Sequence, residues 1–261
     1  MSSAAIRVLV RRDLLRFFRQ RSRVVGALGQ PLIFWLVIGG GLAGSFRIPG
    51  AADVGYVQYF YPGVIALVVL FTSIFTTMSV IEDRQGGFLQ AVLVAPTSRP
   101  AIVLGKTLGG VAIALVQALI FLALAPLAGF SLGAVDWPIT IAALLLTSVA
   151  LSSLGFALAW WLNSTQGYHV VMSVLLIPMW VLSGAMFPPQ GAHGVIAALM
   201  RCNPIAYSVA ALRRGLYGPA YPAISAQVGF SHSSTALELT ILAAFALGAL
   251  ALAARLCAKR T

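Results

Sequence analysis

Apolar residues along this chain come in long unbroken runs rather than in alternation. Six runs approach or exceed the roughly 20 residues a helix needs to cross a bilayer: 24–44, 61–81, 107–130, 138–162, 170–187 and 236–254. None alternates polar and apolar positions with period two, and backbone groups in lipid must be satisfied within the chain, so all six are read as helices. Ahead of the first run the period changes. At about 100° per residue, Ile6, Val10, Leu14 and Phe17 share one face while Arg12, Arg16, Arg19 and Arg23 form a stripe on another. This predicts an amphipathic helix on the membrane interface. It serves either as a basic tail that only sets topology or as a helix that also docks a partner.

Between runs two and three lies EDRQGGFLQAVLVAP, Glu82 to Pro96. Three charges, Glu82, Asp83 and Arg84, precede Gly86 and Gly87; an apolar stretch from Phe88 to Ala95 follows and Pro96 ends it. The stretch is too short to span, and Pro96 and Pro100 are expected to keep it separate from the third run. A short helix with an apolar face fits both a passive surface loop and a docking knob. Between runs five and six, Asn203 and Pro204 read as an N-cap and first-turn proline of a helix over Ile205–Leu216, with Arg213 and Arg214 as last-turn charges. That segment either caps the bundle or re-enters it.

Composition agrees with a membrane protein: 60% of the 261 residues are hydrophobic, 9% are charged, and mean hydropathy is +0.95. The net charge of +11 therefore reads as topology rather than nucleic-acid binding. Thirteen of the 17 Lys and Arg fall on one side of a six-span chain. They are the seven arginines ahead of run one, Arg84, Arg99 and Lys106 between runs two and three, and Arg255, Lys259 and Arg260 after run six. Arg47, Arg201, Arg213 and Arg214 fall on the other. Positive-inside logic puts both termini in the cytoplasm, in a cell inner (plasma) membrane. Tyr56, Tyr59 and Tyr61, Trp137, and Trp160 and Trp161 are expected at the lips, as are Asp136 and Glu238.

Little in the chain suggests its own chemistry. RRDLLR, Arg11 to Arg16, has the look of an export signal, but further arginines interrupt it and the apolar run that follows is too long. GKT, Gly105 to Thr107, has the ending of a phosphate-binding loop, yet Pro100 stands where that loop needs a glycine; Lys106 reads instead as a snorkelling charge. Cys202 and Cys257 have no paired spacing, and His169, His193 and His232 are scattered, so neither a metal site nor a catalytic residue is expected. No ionisable group lies mid-span, which disfavours an ion-coupled transporter. Gln30 and Gln117, the most polar groups within the runs, either line a translocation path or bond neighbouring helices.

EDRQGGFLQAVLVAPTSR followed by GK resembles the cytoplasmic segment of type-2 ABC export permeases. LSGAMFPP (Leu182–Pro189) and CNPIAYSVAALRRGLYG (Cys202–Gly218) resemble that family's outer segment after span five. Gln85, Phe88 and Gln90 depart from the Glu, Thr and Glu of many members. The resemblance implies an all-α integral membrane protein with an N-terminal interface helix (1–23), spans one and two (24–81), a coupling segment (82–106), spans three to five (107–187), a re-entrant outer segment (188–235), and span six with a tail (236–261). It also implies a non-enzymatic permease that exports an amphiphilic or lipid-linked substrate. On its matching positions Asp83, Arg84, Gly87, Leu89 and Leu93 would contact the ATPase subunit, and Arg12, Arg16 and Arg19 would brace that contact. The partners implied are a separate nucleotide-binding subunit carrying ATP and Mg, a second permease copy or homologue, and membrane lipids, but no nucleic acid. The alternative is a non-transporting scaffold or channel subunit.

Overall fold

The computed structural model describes residues 2–44, 54–94, 97–228 and 233–259, and no strand occurs among them. Its helices are α1 (Ser2–Arg19), α2 (Arg21–Leu42), α3 (Tyr56–Gln85), the short α4 (Phe88–Val94), α5 (Arg99–Ala123), α6 (Trp137–Trp161), α7 (Thr165–Ala185), α8 (Gly194–Cys202), α9 (Pro204–Tyr217), α10 (Tyr221–Val228) and α11 (Thr235–Lys259). Six of them, α2, α3, α5, α6, α7 and α11, are long and apolar enough to cross a membrane, one for each run of the sequence. The third starts earlier than its run. Pro100 sits in the first turn of α5, where a missing N–H breaks no intrahelical bond, so it opens the span, and α4 and α5 are separate helices as expected. Pro96, Arg47, His232 and Arg260 lie outside the described residues.

α3 is the hub of the bundle. In its apolar window 89% of residues are buried, against 22% for α2, because α2, α5, α6 and α7 all pack on it. A polar ridge on α3 stitches these neighbours together: Thr72 donates to Gln117 Oε1 on α5, Ser73 meets Ser152 on α6 at 3.3 Å, and Thr77 meets Tyr168 on α7 at 2.5 Å. Gln117 is thus held between helices, whereas Gln30 is exposed on the edge of α2.

Both described chain ends lie at one end of the bundle. Arg99, at the start of α5, donates to the carbonyls of Cys257 (3.1 Å) and Ala258 (2.8 Å) on the last turn of α11, and α1 docks beside α5. We call this the termini end; α4 and the acidic pair Glu82 and Asp83 share it.

At the far end α8 meets the helices that follow it at a bend of 76°, the shape of a broken span or of a re-entrant segment. Asn203 caps α9 by accepting from the Ile205 N–H at 3.0 Å, with Pro204 as first residue, as its sequence predicts. The tyrosines expected at the lip are buried. Tyr59 donates to Gly184 O (2.7 Å) and Tyr56 to Met186 O (3.0 Å), which supply hydrogen bonds to the break at the end of α7, where Gly184 has φ 78°. Glu238 lies in the first turn of α11, fully buried and paired with Arg214 at 3.0 Å. Arg213 turns inward instead of capping its own helix, stacking 4.2 Å over Tyr59 and donating to the carbonyls of Val228, Gly184 (3.0 Å) and Tyr59 (3.4 Å). Asp136 remains a helix cap, accepting from the Ile139 N–H at 3.2 Å.

Candidate functional site

At the termini end the sequence places an amphipathic helix beside a glycine-bearing span, and the structure seats one on the other. A Cβ at Gly105 would stand 2.9 Å from Leu9 Cδ1, and one at Gly109 would stand 3.3 Å from Asp13 Cβ. Further along, Phe17 shares an apolar cluster with Ile113. Contacts advance along both chains together, so α1 and α5 run side by side in the same direction. The apolar face predicted for the membrane interface is in part spent on this seat: Leu9 and Phe17 are buried, and Ile6, Val10 and Leu14 are half-buried. The GKT triplet therefore belongs to a close helix–helix contact inside a span.

Beneath that seat, charges close a network. Lys106 Nζ donates to Asp13 at 3.0 Å and to Asp83 at 2.5 Å. The Arg12 fork grips Asp83 with both nitrogens, at 2.8 and 2.6 Å. Arg16 reaches Asp83 at 2.7 Å and Glu82 at 2.9 Å, and Arg23 completes the set on Glu82. The side chains of Lys106 and Asp83 are 3% and 2% exposed, so Lys106 does not snorkel to water; the two acids hold it inside. The helix makes this necessary, because Lys106 lies two turns inside α5, too deep for its amine to reach the lip.

Three carboxylates against four cations leave the network close to neutral, which allows its burial. Burial still pushes the Asp13 carboxyl above its usual range, with the Lys106 ammonium opposing, while the hydrogen bond to Asp83 holds the Arg12 proton more tightly than usual.

α4 hangs from this network. Gly86 closes α3, and Gly87, at φ 76°, supplies the left-handed turn into α4 that a side chain would strain. Arg12 lies 3.7 Å over the ring of Phe88, and Leu89 is buried in the bundle. Arg84 points the other way and donates to Trp160 O (2.9 Å), Leu162 O (3.0 Å) and Asn163 Oδ1 (2.8 Å), tying α3 to the end of α6.

The residues singled out by sequence therefore divide. Asp83, Arg84 and Leu89 face the bundle, Leu93 is exposed at 41%, and Gly87 makes the turn. Of the arginines, Arg12 and Arg16 are engaged and Arg19 is exposed. Asp13, Glu82, Arg23 and Lys106 were not singled out for this site. The only local signal was a lysine deep in a proline-opened helix. Among the described residues, no group of three or more His, Cys, Asp or Glu is placed to hold a metal.

The sequence of this six-span chain matches those of known proteins. Residues 4–217 match the family model described as ABC-2 type transporter. A relative named transport permease ycf38, from Cyanophora paradoxa, is 26% identical over 210 residues, covering 79% of this chain and 72% of its own length. Nodulation protein J of Rhizobium meliloti (strain 1021) is 26% identical over 220 residues, covering 79% and 78%. The ycf38 permease of Porphyra purpurea is 25% identical over 212 residues, covering 80% and 72%. The chain belongs to the ABC-2 type transporter family, as a multi-span transport permease that forms the membrane subunit of an ABC transporter.

Proposed function

We propose that this permease exports an amphiphilic or lipid-linked substrate, driven by ATP that a separate nucleotide-binding subunit hydrolyses with Mg. Both tails and α4 then face the cytoplasm, and a second copy or a homologue completes the conduit. The carrying observation is the braced exposure of α4. Its exposed Leu93 and Val94 extend from a helix whose other side is fastened by Leu89, Phe88 and the charge network. A surface loop without a partner gains nothing from an exposed apolar tip backed by a seven-charge lock whose centre, Asp13, Asp83 and Lys106, is buried. In this reading Leu93 touches the ATPase, Gly87 sets the angle of α4, and Asp83, Arg84 and Leu89 position it. Arg12 and Arg16 brace it from α1, with Arg19 beside them.

The test is co-purification from mild detergent of the nucleotide-binding subunit with wild type and with a Gly87→Ala/Leu93→Ser double variant. Retention by wild type and loss of substrate-stimulated ATPase activity in the variant is expected. No associated ATPase, or unchanged coupling in the variant, would overturn the assignment.

A further inference from the structure

The outward face of α1 forms a second site. Arg12 and Arg16 turn partly inward to the acids, but Val8, Arg11, Leu15 and Arg19 line with them an open groove of about 580 Å³. Arg11 and Arg19 are exposed and have no acidic partner among the described residues. The one carboxylate of α1, Asp13, lies on the opposite, buried face. The groove thus combines unneutralised guanidinium forks with exposed apolar side chains, Val8 at 65% and Leu15 at 49%. A single residue, Gln20, separates α1 from α2, so the chain itself holds this face where a span enters the membrane.

We propose that the groove binds the headgroup phosphate of an anionic phospholipid. Arg11 and Arg19 clamp the phosphate while Val8 and Leu15 receive the upper acyl chains. Guanidinium forks match phosphate oxygens geometrically, and no acidic residue lines the groove to compete with the headgroup for Arg11 and Arg19. A soluble acidic protein segment would satisfy the arginines but would not account for a groove tethered to the start of a span. Because Arg12 and Arg16 line the groove and also hold Asp83 and Glu82, an occupant adjoins the same cations that brace α4.

The test compares the full-length protein in phosphatidylcholine vesicles with and without phosphatidylglycerol. Retained lipid is read by native mass spectrometry, for wild type, R11Q/R19Q, and R201Q as a charge-matched control at the far end. Wild type and R201Q should retain phosphatidylglycerol in preference to phosphatidylcholine. R11Q/R19Q should lose about 30-fold in that preference, roughly fivefold per arginine. Three outcomes overturn the proposal. One is equal retention of the two lipids by wild type. Another is a preference that R11Q/R19Q leaves intact. The third is displacement by inorganic phosphate or glycerol phosphate at concentrations matching the lipid, which would make the groove a free-phosphate site.

Discussion

The two ends of this bundle bury cations by opposite means. At the termini end, three of the chain's six acidic residues meet Lys106 and three arginines in one cluster, each charge answered by a charge. At the far end, Arg213 is as deeply buried, yet all its described partners are carbonyl dipoles and a tyrosine face. Removing one member of the first site strands a full charge. Removing Arg213 strands only carbonyls, and that of Gly184 still accepts from Tyr59. The difference also separates what each end joins: four helices, α1, α2, α3 and α5, at one, and the bent segment after α7, packed on α3 and α7, at the other.

The sharpest break in that comparison is Asp83→Asn. It leaves Lys106 and Arg12 short of a carboxylate in a buried setting and should cost about 3–5 kcal/mol, read as a lowered unfolding temperature in detergent and early proteolysis of α1. Gly105→Leu attacks the same joint without touching charge. Overpacking against Leu9 should cost about 1–3 kcal/mol, with α1 released while α3 and α5 stay inserted. Arg213→Met should cost less than Asp83→Asn, about 1–3 kcal/mol, and the loss should appear as faster hydrogen exchange around 181–185, with the termini end unaffected. If Arg213→Met proves the more damaging, carbonyl dipoles hold a buried cation as firmly as carboxylates do, and the contrast between the ends collapses.

Asp13→Asn should have the smallest effect, because Asp83 still pairs Lys106. Its signature is in pH. Burial raises the folded-state value of Asp13 above the ordinary 3.8, so folding favours its protonated form. The stability this contributes is present below that ordinary value and is lost as pH rises toward the folded one. Wild type should show this decline in acid unfolding profiles, and the variant should show a flatter curve over that window.

What the sequence could state was local. Run length gave six spans, a period of about 3.6 gave α1, and the Asn203–Pro204 pair gave the start of α9, because each rests on neighbours along the chain. The partners of Lys106 sit 93 and 23 residues away. A lysine beside a glycine carries no mark of which acid will reach it. The same limit left Glu238 as a lip charge and Arg213 as a last-turn charge, with no partner named for either. Both were judged by their position along a helix, when the neighbouring segment they face decided the matter. In the coupling stretch the sequence identified the residues but not their division, since which side of α4 meets the bundle depends on the turn at Gly87 and on Arg12.

The seat made by Gly105 and Gly109 imposes an order on biogenesis. The helix that fills it is synthesised first, yet its seat, its lysine and its closing carboxylate emerge only with spans two and three. Until then the arginine-rich helix must wait at the membrane surface with Asp13 short of its lysine. A segment made ahead of all six spans is therefore among the last to be locked, and its docking reports that the third span has been threaded in the correct direction.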